Sequence, residues 1–121
     1  MYGKPDQCQG HKELPLTIAE IDSGICGLTT VVEAQMDGVD CRLSIKSECD
    51  AIQRMAAELT KVTPFQEIAF KGAGPVTLQA AAQHCKHAAC PVAVGIIKAV
   101  EVEAGLALPA DVIIKLSKSG S

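Results

Sequence analysis

The dipeptide Asp37-Gly38 lies between two stretches in which apolar and polar residues alternate. An Asp-Gly pair in this position is one of the strongest short signals for a β-hairpin with a two-residue turn, because glycine tolerates the positive φ that such turns require. The two flanking stretches must bury one face, and an isolated hairpin is only marginally stable in water. The chain is therefore limited to folds in which an antiparallel hairpin is part of a larger sheet.

A turn made of Asp37 and Gly38 determines which residues face each other across the hairpin. The predicted pairs on the buried face are Met36 with Val39, Ala34 with Cys41, Val32 with Leu43 and Thr30 with Ile45. The opposite face is predicted to carry the polar residues Glu33, Gln35, Asp40, Arg42, Ser44 and Lys46. The same register, continued outward, brings Cys26 opposite Cys49, and directly opposed residues have Cβ atoms about 5 Å apart.

A helix is predicted directly after the hairpin. Ser47 and Asp50 in "SECD" have the spacing of a capping box, with Ser47 as the N-cap. In this helix Cys49 shares a face with apolar residues and therefore points inward. Short strands are predicted for "LPLTIAEI", "QEIAF" and "DVIIKL".

Two more helices are predicted in the second half of the chain. One begins near Pro75, and its apolar face consists of Leu78, Ala81, Ala82 and Cys85. The other has Pro91 in its first turn and ends at Gly105, with Cys90 as its N-cap. The elements together predict an α+β fold, in which a mostly antiparallel sheet of four or five strands is covered on one face by three helices.

Length and composition predict one soluble domain. A chain of 121 residues with 48% apolar and 21% charged residues suits a single domain over 14–116, between a polar N-terminal arm over 1–13 and a polar C-terminal tail over 117–121. The net charge of −3 and the absence of a basic cluster argue against nucleic acid as a partner. No apolar run is long enough for a membrane span and no secretory signal is evident, so we expect a cytoplasmic protein.

Six cysteines are the main candidates for chemistry: Cys8, Cys26, Cys41, Cys49, Cys85 and Cys90. In a reducing compartment such cysteines more often bind metal or perform redox reactions than form structural disulfides. Cys26 and Cys49 are predicted to face each other, Cys49 and Cys90 to start helices, and Cys85 to lie one short loop from Cys90. Helix N termini favour anionic ligands such as thiolates. We therefore expect Cys26, Cys49, Cys85 and Cys90 to form one site.

An iron–sulfur cluster is the centre that we expect these four cysteines to bind. The C-x-x-C pairs typical of structural zinc are absent, and the shortest spacing is the C-x-x-x-x-C of Cys85 and Cys90. Pro91 directly follows Cys90, and a proline after a ligand cysteine recurs in iron–sulfur proteins. Such a protein would transfer electrons or serve as an accessory factor, with a redox or accessory protein as its partner. Zinc is the alternative metal.

Two other classes of function remain open at this point. In a structural or interaction domain, the cysteines would only pack in the core or hold a structural zinc, and packing is the expected role of Cys41. In a thiol-redox protein, Cys26 with Cys49 or Cys85 with Cys90 would form a reversible disulfide. His84 and His87 flank Cys85 and could replace a ligand, but both are expected on the solvent side. No acid/base pair indicates an ordinary hydrolase, so enzymatic activity stays uncertain.

The segments "SGICGLTTVVEA", "HCKHAAC" and "CPVAVGIIKAVEVEAGLALP" resemble a family of small uncharacterised cysteine-containing proteins of anaerobic prokaryotes. The resemblance covers about residues 14–116 and includes the positions of Cys26, Cys49, Cys85 and Cys90. It implies no established activity. More distantly, a cysteine-bearing hairpin followed by a helix and a later cysteine pair is similar to the TSCPD domain, which implies metal binding, although its closing C-x-x-C is absent here.

Overall fold

The computed structural model describes residues 15–120 of the chain. The predicted N-terminal arm and Cys8 lie outside these residues. Residues 117–120 are exposed and have no regular secondary structure.

Four strands form one antiparallel sheet in the described part of the chain. They are β1 (Thr17–Asp22), β2 (Thr29–Asp37), β3 (Asp40–Ser47) and β4 (Lys61–Val62), and their spatial order is β1-β2-β3-β4. Each strand therefore pairs with its neighbour in sequence, and the central pair is the predicted hairpin. The prediction of an α+β fold with a mostly antiparallel sheet is confirmed.

The hairpin register differs from the predicted one by two residues. The turn consists of Gly38 and Val39, so Asp37 faces Asp40 and Met36 faces Cys41. Gly38 takes the first central position of the turn with a φ of 69°, a conformation that glycine adopts without a steric penalty. A shift of two residues moves no side chain to the other face, because side chains alternate with a period of two. The predicted alternation of buried and polar residues along the two strands is therefore correct, whereas every predicted pair is wrong and Val39, predicted on the buried face, is 80% exposed in the turn.

Four helices accompany the sheet in the described residues: α1 (Asp50–Glu58), α2 (Pro64–Glu67), α3 (Val76–His84) and α4 (Val92–Glu103). The three predicted helices correspond to α1, α3 and α4. The short α2 overlaps "QEIAF", for which the prediction of a strand is wrong. Pro64 at the first helical position favours this turn of helix, because its fixed φ suits a helix start.

The predicted strand "DVIIKL" is also wrong as a description of the isolated chain. Residues 111–116 have no regular structure and no described strand beside them, and their side chains are exposed. Their β-branched residues suit a strand, but a strand needs a neighbour that satisfies its backbone groups.

The core lies between one face of the sheet and the helices. Val32, Ala34, Cys41 and Leu43 of β2 and β3 pack against Ile52 and Met55 of α1 and against Val92, Ile96 and Val100 of α4. Helix α4 crosses β1 and β2 at close range where Gly95 meets Ile21. This close approach places the N-terminal half of α4 beside the end of β1.

Helix α3 buries a face that matches the predicted one only in part, since Ala81 and Cys85 pack against the core as predicted. Thr77 and Ala80 are buried, whereas Ala82, which was predicted to be buried, is exposed. The first turn of α3 is held by Glu67, whose carboxylate accepts hydrogen bonds from the N–H groups of Val76 (2.8 Å) and Thr77 (2.9 Å). A carboxylate at a helix N terminus satisfies free donors and complements the helix dipole.

Candidate cysteine site

Cys26 and Cys49 lie at the same end of the sheet. At this end, Asp22 of β1 pairs with Thr29 of β2. Cys26 ends a single 3-10 turn, Gly24–Cys26, which connects β1 to β2, and Cys49 follows β3. Both cysteines are therefore outside the ladder, and the prediction that they face each other as paired residues is wrong. The reason is that β2 begins only at Thr29, three residues after Cys26.

Cys49 occupies the N-cap position of α1, two residues later than the predicted N-cap Ser47. Ser47 still contributes, because its Oγ accepts a hydrogen bond from the Cys49 N–H at 3.1 Å. The side chain of Gln53 donates to the Ser47 carbonyl oxygen at 2.8 Å. These contacts hold the backbone of Cys49 in place at the junction of β3 and α1.

Cys85 and Cys90 are brought together by the loop between α3 and α4. Cys85 is the C-cap of α3, and its N–H donates to the Ala81 carbonyl oxygen at 2.8 Å. Cys90 precedes Pro91, and Pro91 rather than Cys90 is the N-cap of α4. The predicted N-cap is thus wrong by one residue: the first hydrogen bond of α4 runs from the Gly95 N–H to the Pro91 carbonyl oxygen, at 3.0 Å. Both cysteines are partly buried against the hydrophobic core.

The Cys85 thiol lies within interaction range of two other thiols. Burial raises the pKa of Cys85 above its ordinary value, and the charge of Cys90, a side-chain hydrogen bond with Cys90 and the charge of Cys49 raise this pKa further. Three of the four predicted site residues are therefore neighbours: Cys49, Cys85 and Cys90. No described contact connects Cys26 to them, and its side chain is exposed.

These neighbouring thiols do not form a preassembled metal shell. Among residues 15–120, no group of three or more His, Cys, Asp or Glu side chains is arranged to hold a metal ion. Binding of a metal centre would require the side chains to turn toward a common point. The described cysteines are all free thiols, so none of them is locked in a disulfide.

Cys41 belongs to the core and not to this group. Its side chain is 0% exposed, and burial, aided by the charge of Glu103, raises the pKa of its thiol to about 11. A backbone hydrogen bond at Gln35 acts in the opposite direction on this pKa. The environment agrees with the predicted packing role of Cys41.

His84 faces the protein interior, contrary to the prediction. Its side chain is 17% exposed, and its Nε2 atom lies 3.1 Å from Glu58 Oε2. The buried face of α3 runs over Thr77, Ala80 and Ala81 to His84, which is the spacing of one helix face. His87, in the loop that follows, is exposed as predicted.

Two acidic residues have structural roles that sequence reasoning missed. Glu67 is 1% exposed and caps α3, as described above. Glu103, at the end of α4, accepts a hydrogen bond from Thr17 Oγ1 at 2.9 Å and another from the Met36 N–H at 3.0 Å. Their partners are 9 to 86 residues away in sequence, so no local pattern indicated either role.

A shallow depression lies at the opposite end of β3 from Cys49. It has a volume of about 530 Å³ and is open to solvent. Its lining comes from β4, α2 and the start of β3, and includes Asp40, Lys61 and Phe65. It contains no cysteine, so it is separate from the cysteine site.

The fold and the cysteine cluster define a small α+β protein with neighbouring free thiols. A family model matches residues 17–116, and the chain therefore belongs to the family of unknown function DUF6951. This agrees with the resemblance to an uncharacterised family, but it carries no information on anaerobic sources or on the TSCPD domain. Searches of curated proteins and of solved structures gave no match. No helix among the described residues is long and apolar enough to cross a membrane.

Proposed function

We propose that this protein binds a metal centre through cysteine thiolates, with an iron–sulfur cluster as the favoured centre. Cys49, Cys85 and Cys90 supply three ligands, and Cys26 supplies the fourth. The observation that carries the proposal is that Cys49, Cys85 and Cys90 all pack, partly buried, against the same hydrophobic core, where the charges of Cys90 and Cys49 raise the pKa of the Cys85 thiol. The resulting role is electron transfer or delivery of the cluster to a redox or accessory protein partner in the cytoplasm.

The proposed ligands lie where chain elements begin or end. Cys49 starts α1, Cys85 ends α3, and Cys90 directly precedes the N-cap of α4. Side chains at such positions are held by helices that pack in the core, while the adjoining loop leaves them free to rotate toward a ligand. Soft thiolate ligands select iron–sulfur clusters, zinc or copper(I) over magnesium and calcium.

The fourth ligand distinguishes this site from a closed structural zinc site. Cys26 is exposed on the 3-10 turn between β1 and β2, so this turn must reorient for the thiol to reach the other three. A cluster spans more space than a single ion, and iron–sulfur sites are commonly built from four cysteines. A fourth ligand on an exposed turn also leaves the centre accessible to a partner, as cluster delivery requires.

Anaerobic reconstitution with iron and sulfide, followed by metal analysis and visible absorption, tests this proposal. We expect about four iron atoms per chain for a cubane cluster, or about two for a binuclear one. Cys85→Ala and Cys90→Ala should remove most of the bound iron. Cys41→Ala is the matched control, because it removes a thiol outside the site and should leave the iron content unchanged. Zinc bound in place of iron would identify a zinc protein, and iron bound equally by all variants would refute the ligand assignment.

Thiol-redox chemistry is the second candidate, and the short loop that holds Cys85 at the end of α3 and Cys90 just before α4 favours it. A disulfide of a substrate protein would accept two electrons and two protons from this pair, so that one disulfide forms here and the substrate gains two thiols. Incubation with oxidised glutathione and mass analysis would show a loss of two hydrogens that depends on Cys85 and Cys90. Cys49→Ala should leave that reaction intact but lower iron binding, which separates the two functions.

A further inference from the structure

The C-terminal part of the described chain exposes an apolar segment, which we define as residues 106–116. Its side chains protrude into solvent, with Ile114 74% and Leu116 90% exposed. The last backbone hydrogen bond in this region is from the Leu106 N–H to the Glu101 carbonyl oxygen, at 2.8 Å. Beyond it, no described hydrogen bond ties the segment to the sheet or the helices. The segment contains three consecutive exposed β-branched residues, Val112, Ile113 and Ile114, and such an exposed apolar stretch promotes association with another strand.

The family match indicates that the apolar segment is part of the domain. The match begins at Thr17, the first residue of β1, and ends at Leu116, the last residue of the apolar segment. The segment therefore belongs to the same unit as the sheet, yet in a single chain it covers nothing.

Strand β1 is an edge strand with which this segment could pair. No described strand pairs with its outer side, since β1 is the first strand in the order β1-β2-β3-β4. The Met36 N–H of β2 points to the β1 side, where it donates to Glu103, and alternate residues of a strand point to the same neighbour. Thr17, Ala19 and Ile21 therefore bond β2, which leaves the N–H groups of Ile18 and Glu20 directed to the outer edge.

The apolar segment and β1 complement each other in pattern and charge. With Ile113 beside Ile18, Lys115 lies beside Glu20 on the solvent face. On the core face of the same register, Ile114 lies beside the small Ala19. Strand β1 has six residues, the length of "DVIIKL". The two strands run parallel in this arrangement.

The connection to α4 directs the segment away from its own sheet. Gly105 ends α4 with a φ of 77°, and residues 106–110 include Pro109. Proline fixes its own φ and holds Leu108 in an extended conformation, which restrains the linker at these two residues. In the described structure the segment after this linker stays exposed and pairs with no described strand of its own chain. The available edge is then that of another copy.

We propose that two copies of this chain form a dimer in which each apolar segment adds as a fifth strand to β1 of the partner copy. Such an exchange covers the β1 edge of each copy, and two-fold symmetry makes the two contacts identical. It also removes an exposed apolar strand that would otherwise drive aggregation.

The dimer is tested by measuring the mass of the full chain in solution by light scattering and native mass spectrometry. Ile114→Lys should raise the dimer dissociation constant about 100-fold or more, because it removes one buried isoleucine from each of two contacts. Val39→Lys is the matched control: it changes an equally exposed apolar residue in the hairpin turn and should leave the dimer intact. Ile18→Pro should also break the dimer while preserving the β1–β2 ladder, because it removes only an outward N–H group.

A zero-length crosslink between Lys115 and Glu20 distinguishes exchange from fold-back. Mixing chains labelled with ¹⁵N and unlabelled chains should give crosslinked peptides that combine both labels. Circular dichroism of each variant confirms that the fold is retained. A monomeric wild type, crosslinks confined to one label, or a dimer that Ile114→Lys and Ile18→Pro leave unchanged would each overturn the proposal.

Discussion

At the scale of single residues, hydrogen bonds to the Glu103 carboxylate connect the end of α4 to the sheet. Its carboxylate accepts hydrogen bonds from Thr17 and from the backbone N–H of Met36, at a position that β1 does not reach. The same charge acts on Cys41, whose thiol is buried beside it. Burial and the nearby Glu103 charge together explain why the Cys41 thiol stays neutral and packs in the core rather than acting as a thiolate ligand.

The first prediction concerns Cys41 and pH. Because burial raises the pKa of the folded thiol to about 11 from 9.0, folding favours the neutral form. This contribution to the free energy of unfolding is complete below pH 9 and is lost as pH rises through 11, at most about 2 to 3 kcal/mol. Urea unfolding of the reduced protein between pH 8 and 11 should show this decline. Cys41→Ala should decline less steeply, and equal slopes would contradict the assignment.

The second prediction concerns Glu103 itself. Glu103→Ala leaves the Met36 N–H and Thr17 Oγ1 without their acceptor, and an unpaired polar group costs about 1 to 3 kcal/mol. Glu103→Gln keeps one acceptor oxygen and should cost less. Chemical unfolding of both variants measures the difference. Loss of the Glu103 charge should also lower the pKa of Cys41, so its thiol should ionise at a lower pH in Glu103→Gln, which an NMR titration of the Cys41 Cβ measures in the folded protein. If neither the free energy of unfolding nor the pKa of Cys41 changes, the Glu103 carboxylate does not stabilise the contact between α4 and the sheet.

At the scale of elements, the predictions from sequence succeeded where a local signal was strong. Asp37-Gly38 marked the hairpin, and Pro75 and Pro91 marked the starts of α3 and α4, which is why the placement of Cys85 and Cys90 at one loop could be expected. Register and caps failed by one or two residues, because turn type and helix start depend on backbone dihedral angles that several residues tolerate. "QEIAF" failed because alternation in a five-residue stretch cannot reveal that Glu67 caps α3.

The third prediction concerns the packing of α4 on β1. A Cβ at Gly95 would clash with Ile21 Cδ1 and lie 2.6 Å from Ile21 Cγ1. Overpacking costs about 1 to 3 kcal/mol, against a gain of about 1 kcal/mol from replacing glycine in a helix. Gly95→Ala should therefore destabilise the protein. In an Ile21→Ala background the remaining Cβ of residue 21 is 3.8 Å from the new Cβ, which is an ordinary van der Waals contact, so the same change should stabilise. Thermal unfolding of the four proteins measures this reversal of sign, and its absence would contradict the close approach.

At the scale of the whole molecule, the two faces and the two ends of the sheet differ in which elements and side chains lie beside them. The helices cover one face, Cys26 and Cys49 lie at the end where β1 ends and β2 begins, and the depression lined by Asp40 and Phe65 lies at the other end. The sequence identified "DVIIKL" as a strand by its composition, but composition says nothing about which edge a strand joins. The proposed exchange rests instead on the open edge of β1 and on the exposure of the segment that follows Pro109.

The final prediction follows from exchange of the apolar segment between two copies. When folding and association are coupled, mass action makes the unfolding midpoint depend on the concentration of chains. The Tm of the wild type should therefore rise by several degrees as the chain concentration increases about 100-fold, because each tenfold change shifts the association equilibrium by about 1.4 kcal/mol. Ile114→Lys should give a Tm that is lower and independent of concentration, whereas Val39→Lys should behave like the wild type. The measurement is differential scanning calorimetry in the presence of a reductant, so that intermolecular disulfides through the exposed Cys26 do not contribute. A wild-type Tm that is the same at every concentration would show that the apolar segment contributes nothing to the stability of the folded chain through a second copy.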